Sequence, residues 1–418
     1  MLEKNFSQDF YYLTGLSKFF YFCTPCYCFM TVRYGLLTNK YFILLILIIL
    51  TLCSCNHKAI MSDENSENWC IFRGNPALTG YTDVSLPDNP VLLWNFKSDS
   101  YTKSSPVVYK GVAYWSSRRG QIFGVNREGK QVFDFAMETA VDAIPMIHDS
   151  VLYIGRIDGF LCAVSLEKQE ILWSFETNGQ IMASPNRMKF EDRDAIIIGS
   201  YDNHVYCFER KTGKLLNRFE SGYYINGAVA QSGNHIVFGG CDGWIRVVDC
   251  VSGKQTDSLD VKIYIPASPA ISNEWCYIAD HSGNLYELKL DNGKIVSTKK
   301  ILESKEDNGN FVSVPAVSDK MVYVVSDDRY IYAIDRKTTS VVWKYLLKGD
   351  TGESSPVICK NKLLICTKTG IVSIHDAKTG KLLWEYDTGE SIIASPAVAN
   401  GYFYILTQKG TLFCFGKV

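Results

Sequence analysis

The chain has 418 residues, 13% of them aromatic and 21% charged, with a formal net charge of -1 at pH 7. That balance gives no global attraction to nucleic acid or anionic lipid. The aromatic content argues against disorder, and the chain is too long for an average domain, though a closed repeat array can bury it as one unit.

Residues 1–29 include Cys23, Cys26 and Cys28 but show no structural pattern, and Met30 is read as the true start. Arg33 and Lys40 then precede the apolar run from Tyr41 to Leu50. This is the plan of a signal peptide, with too short an apolar run to span a bilayer comfortably; an uncleaved signal anchor is the alternative. The segment Leu52-Cys53-Ser54-Cys55 resembles a bacterial lipobox, with an aliphatic residue three before Cys55 and a small one directly before it. Residues 1–55 are therefore expected to be a signal peptide with lipobox. Cys55 would be the lipidated residue, and several acyl chains would give stable anchoring. Asn56 is not the Asp that such lipoproteins often use for inner-membrane retention, so the resemblance implies sorting to the outer membrane. Residues 56–68 are polar and read as a flexible tether, and 69–418 as one folded domain.

Within that domain one phrase recurs eight times, about 40 residues apart, the period of repeat architectures. Its marker is a small residue, a Pro and an aliphatic stretch: Ser105-Pro106, Ile144-Pro145, Ser184-Pro185, Ser268-Pro269, Val314-Pro315, Ser355-Pro356 and Ser395-Pro396. The copy at Asn226-Gly227-Ala228-Val229 has lost its Pro. Each copy continues as short apolar runs separated by turn pairs such as Asn400-Gly401 and Lys409-Gly410, a hairpin signal of the type I′ kind. Two residues past each second turn stands an aliphatic side chain: Ile122, Leu161, Val205, Ile245, Leu285, Ile331, Val372 and Leu412. A fixed register of this kind predicts one buried layer.

A further turn, as at Lys378-Thr379-Gly380, leads to a fourth run that often bears Trp. Four antiparallel strands per period describe a propeller blade, and eight copies predict an all-β, eight-bladed β-propeller. The last copy has only three runs. The run Val91 to Phe96 supplies the fourth, so an N-terminal strand is expected to close the ring and remove its open edge.

The stretches Ala333-Ile-Asp335-Arg-Lys-Thr338-Thr-Ser-Val-Val-Trp343 and Asp376-Ala-Lys-Thr379-Gly380-Lys-Leu-Leu-Trp384 resemble the blade signature of the quinoprotein-like (PQQ-like repeat) propellers. Trp69 to Asn75 looks like the segment that precedes the first blade in many secreted members. In that family the Trp and Thr-Gly hold adjacent blades together, which implies a packing role for Trp94, Trp173, Trp343 and Trp384. The Trp is absent from the units ending at Asn217, Asp257 and Ser297.

The resemblance implies two kinds of function. Quinone-dependent dehydrogenases of the family add a calcium site, a catalytic Asp and a vicinal Cys pair; this chain has no adjacent cysteines. The lipoprotein scaffolds of outer-membrane β-barrel assembly, the BamB family, share the plan of lipobox, tether and single propeller. The expectation is a non-catalytic scaffold without metal or cofactor, monomeric, binding protein partners in the cell envelope and the membrane through its lipid anchor, but no nucleic acid. A third class is an envelope carbohydrate or peptide binder, with Trp115, Tyr223, Tyr224 and Trp244 as stacking candidates against an ordinary packing role. Loops at Arg187–Arg193 and Leu302–Asn310 exceed the repeat, and the second is a candidate partner contact. Most cysteines after Cys55 behave as small apolar residues. Disulfides Cys241–Cys250 and Cys359–Cys366 are left open.

Overall fold

The structure is a computed structural model that describes residues 67–303 and 310–417. Cys55, the tether up to residue 66, and residues 304–309 of the long loop lie outside the described residues.

Eight four-stranded antiparallel sheets follow one another along the chain, each in simple up-and-down order. Blade 1 runs from Val107–Tyr109 to Gln131–Ala136, and blade 7 from Val357–Cys359 to Leu382–Asp387. The first strands of successive blades lie side by side around an axis. Blade 8 takes its fourth strand from Val91–Lys97, which pairs with Thr411–Gly416 and sets Trp94 opposite Cys414. The ring closes as the incomplete last repeat requires.

All eight aliphatic residues after the second turn are buried, seven of them fully. The second and third strands are apolar on both faces because each sheet is covered on either side by its neighbours. Fourth strands alternate, since their outer edge meets water.

The turns divide into two kinds. Between first and second strands, Lys110-Gly111, Asp149-Ser150 and Asn400-Gly401 have positive φ at both residues, which is type I′ geometry. Between second and third strands only the last loop residue is left-handed, from Gly120 (79°) to Arg329 (71°). There Gly120 N–H donates to Ser117 O and Ser117 N–H to Gln121 O, so a three-residue loop with a bulge forms instead of the expected type I′ turn.

The indoles pin neighbouring blades. Trp94, Trp173 and Trp343 donate through Nε1 to the carbonyls of Arg127, Arg210 and Ala377 in the next blade. A Cβ on Gly380 would lie 2.6 Å from the Trp343 ring, which explains the Thr-Gly pairing. Where Trp is missing, polar contacts replace it. Asn217 Nδ2 donates to the Cys250 and Val251 carbonyls, and Asp257 Oδ2 accepts from Ile295 N–H. In blade 5 the third strand is longer, Asn284–Asp291, and the register sets Lys299, not Ser297, opposite Glu287 at the usual Trp position.

Several expectations change. Arg187–Arg193 is not a loop: it lengthens the strands Asn186–Phe190 and Arg193–Gly199, which turn at Glu191 and Asp192. The cysteines of the described residues are all free thiols. Cys241 follows one end of a hairpin whose other end, His235 paired with Asp249, adjoins Cys250. At about 3.3 Å per residue that separation is far beyond disulfide reach. Cys359 and Cys366 are likewise kept apart by the length of Lys362–Cys366. Cys207 and Cys414 sit at the small-residue register beside the fourth strand, and burial pushes both thiols up to about 12.

The stretch from Trp69 to Asn75 precedes blade 1, and the chain from Trp69 to Thr82 also runs across the middle of the ring. Trp69 bridges Val108 of blade 1, and Cys70 O accepts from Ile147 N–H of blade 2. Pro76 O accepts from the Asn186 side chain of blade 3 and from Gln231 N–H of blade 4. Ala77, Thr79 and Gly80 carbonyls accept from Ile271, Val317 and Ile358 of blades 5, 6 and 7. Tyr81–Thr82 then pairs in parallel with Val357–Cys359. The chain thus satisfies first-strand N–H groups that would otherwise face an empty channel.

Candidate functional site: a funnel lined by all eight blades

The turns between second and third strands share one end of the ring with the links between blades. Thr177 N–H, for example, donates to Gly159 O, and Thr388 N–H to Gly370 O. At the centre of this end lies a cavity of about 410 Å³ with residues from every inter-blade link in its wall and Phe72 of the crossing segment in its lining.

The marker residues build the wall. Ser355 Oγ accepts from Val314 N–H, Ser395 Oγ from Ser355 N–H, and Ser105 Oγ from Ser395 N–H, at 2.9 to 3.0 Å. Ala228 N–H makes the same bond to Ser268 Oγ. The small residue before Pro is thus a hydrogen-bonded bolt between blades as well as a packing unit. Ser105, Ser268 and Ser395 accept through Oγ, and each hydroxyl keeps its own proton to donate.

The carboxylates near the mouth are mostly engaged. Arg118 grips Asp142 in a two-pronged contact at 2.8 to 3.2 Å and stacks over Tyr101. Asp202 accepts from Tyr206, Asp280 from Asn284 and Tyr286, Asp328 from Tyr332, and Asp242 pairs with Arg246. These turn acids cap loops and hold strands. A calcium–quinone centre, which the enzyme branch of the resemblance implies, needs several free oxygen ligands in one place. Asp142 is committed to Arg118, and no cluster of three His, Cys, Asp or Glu that could hold a metal occurs among the described residues. The residues present do not fit that group.

On one side of the mouth, aromatic residues from blades 3 to 5 meet. Tyr201 stacks on Tyr224 (5.2 Å, 15°), and Tyr224 touches Tyr223. Tyr201 donates to Asn226 Oδ1 at 2.7 Å, and Asn226 Nδ2 reaches the Tyr264 hydroxyl at 3.5 Å. Tyr264 meets the His281 ring edge to face. Burial holds the phenols of Tyr201 and Tyr264 above their ordinary pKa, so both keep their O–H at neutral pH. Of the stacking candidates read from sequence, Tyr223, Tyr224 and Trp244 are exposed. Trp115 is not: it is fully buried and stacked on Phe123. Tyr201, Asn226 and Tyr264 escaped the sequence reading. The one available signal was the loss of the marker Pro, since Asn226 stands in that same unit.

The family model of the outer membrane protein assembly factor BamB matches residues 87–218, 183–309 and 241–418. The chain belongs to the BamB family. This BamB-family chain is 22% identical over 283 residues to outer membrane protein assembly factor BamB of Shewanella oneidensis, covering 62% of this chain and 67% of that relative. Its fold resembles that of BamB from Moraxella catarrhalis, with a TM-score of 0.66 at 17% identity, covering 79% of this chain and 98% of the other. A europium-containing methanol dehydrogenase gives a TM-score of 0.71 at 12% identity, covering 86% and 100%. Likeness at such identities shows a common propeller fold alone.

Proposed function

We propose that this protein is a non-catalytic, lipid-anchored scaffold in outer membrane protein assembly, held to the periplasmic side of the outer membrane through Cys55. The observation that carries the reading is the match of the BamB family model across the propeller, from residue 87 to 418. A closed ring suits the task, because it fixes loops rigidly and leaves them free to vary. The engaged turn acids and the absence of a metal-ligand cluster among the described residues weigh against the dehydrogenase alternative. The partner is a protein of the assembly machinery, and the propeller acts as a monomer.

Depleting the protein in its own cells is expected to lower the levels of β-barrel proteins in the outer membrane. Cys55→Ala is expected to abolish labelling by a palmitate analogue and to release the protein from membranes. Normal barrel levels after depletion would overturn the assembly role, and a Cys55→Ala protein that stays membrane-bound would overturn the anchor.

A further inference from the structure

We propose that the funnel mouth on blades 3 to 5 is a carbohydrate-binding site, with the exposed rings of Tyr223, Tyr224 and Tyr264 stacking on pyranose faces and Asn226 with the marker serines hydrogen-bonding the sugar hydroxyls. Pyranosides present a C–H face and a rim of hydroxyls, and the site offers the complement of both. Tyr223 and Tyr224 are 47% and 43% exposed, and Tyr264 36%. Their rings are not free rotors. Tyr224 is pressed on Tyr201, and Tyr264 is held between Asn226 and His281. Preorganised aromatic faces lose little entropy on binding.

The polar part lines the cavity, which Tyr264 borders directly and Tyr224 adjoins through its stack on Tyr201. Tyr201, Asn226 and Tyr264 belong to the cavity wall along with Ser105, Ser268 and Ser395. Asn226 uses Oδ1 on Tyr201 and one N–H on Tyr264, which leaves its second N–H to donate. Lys103 and Glu353 add one cation and one carboxylate to the same wall. Donors, acceptors and flat rings around a cavity of about 410 Å³ are suited to an oligosaccharide end entering from the rim.

A peptide is the competing occupant. Extended peptides bind best by adding a strand to an open edge, and this end of the ring presents turns and links only. In blades 1, 2 and 4 to 7 a first-strand N–H group facing the axis is already taken by the segment from Trp69 to Thr82. The sugar site is independent of the assembly reading, and the two fail in separate experiments.

The test is isothermal titration of the purified full-length protein with chitotetraose, cellotetraose and maltotetraose, and with decaproline as the peptide probe. At least one tetraose is expected to bind with Kd below about 1 mM. Tyr224→Ala and Tyr264→Ala are each expected to weaken it about fivefold or more. Tyr223→Ser, at the most exposed ring, serves if either variant fails to fold, and is expected to weaken binding in the same direction. Binding of none of the three sugars, capture of decaproline alone, or sugar binding unchanged in folded variants would each overturn the proposal.

Discussion

Ser355 Oγ accepts from the Val314 N–H on one side and the Ser355 backbone N–H donates to Ser395 Oγ on the other, so a single residue sits within a relay that joins blades 6, 7 and 8. The relay continues to Ser105 of blade 1 and spans the seam where the ring closes. Replacing Ser355 by Ala leaves the buried Val314 N–H without its acceptor, and an unsatisfied buried donor costs about 1–3 kcal/mol. Ser355→Ala is expected to lose that much in urea denaturation, whereas Ser340→Ala on an exposed strand edge should change little. Equal losses from both would remove the relay from the account. The sequence shows these serines as small residues before Pro. Their bonding partners lie about 40 residues away in the next repeat, so no local pattern announces them.

At the scale of the element, the blades were legible because their signals are local. A left-handed turn residue, a buried aliphatic two positions on and a Trp facing a small residue all fall within one period. The aromatic mouth was not legible for the opposite reason. Tyr201, Tyr224 and Tyr264 come from separate turns and links of blades 3 to 5 and converge only when the ring forms. One element also carries a pH response. His375, in the third strand of blade 7, is buried against Tyr345, with Nδ1 3.2 Å from Gly380 O and Nε2 3.0 Å from Ser373 Oγ. Burial holds its pKa below the ordinary value, against smaller opposing effects of the Gly380 carbonyl and Glu385. The unfolded chain therefore takes up the proton first as pH falls. The stability that the neutral ring contributes is complete above about pH 6.5 and declines below it, with a limiting slope of about 1.4 kcal/mol per pH unit. His375→Gln should flatten this part of the stability–pH curve. An unchanged acid limb in the variant would assign the response elsewhere, with half-buried His148, whose pKa is also lowered by burial, as the next group to examine.

For the whole molecule, the same N-terminal stretch fills the channel and closes the ring. Residues 69–82 contribute carbonyls to blades 1 through 7, and Val91–Lys97 completes blade 8. Arg73 is the buried centre of this arrangement, donating to the Pro356 and Pro315 carbonyls at 2.6 and 3.1 Å. Burial lowers its pKa to about 9, so it keeps its charge at neutral pH. Lys362 fastens the outgoing chain through the Leu86 and Pro87 carbonyls and Asp88. Two truncations separate the roles. A chain beginning at Glu67 keeps every one of these contacts and is expected to melt with the full-length protein. A chain beginning at Val91 keeps ring closure but exposes the first-strand donors of Val108, Ile147, Ile271, Val317 and Ile358 to an open channel. Water can re-satisfy part of that loss, so the expected outcome is a lowered and broadened calorimetric transition, not outright unfolding. Gly80→Ala should act in the same direction without truncation, because φ there is +61° and the added Cβ would fall 1.9 Å from the Arg73 guanidinium. If the Val91 chain and Gly80→Ala both melt as sharply and as late as the intact protein, the closing strand alone holds the ring, and the crossing segment is a passenger.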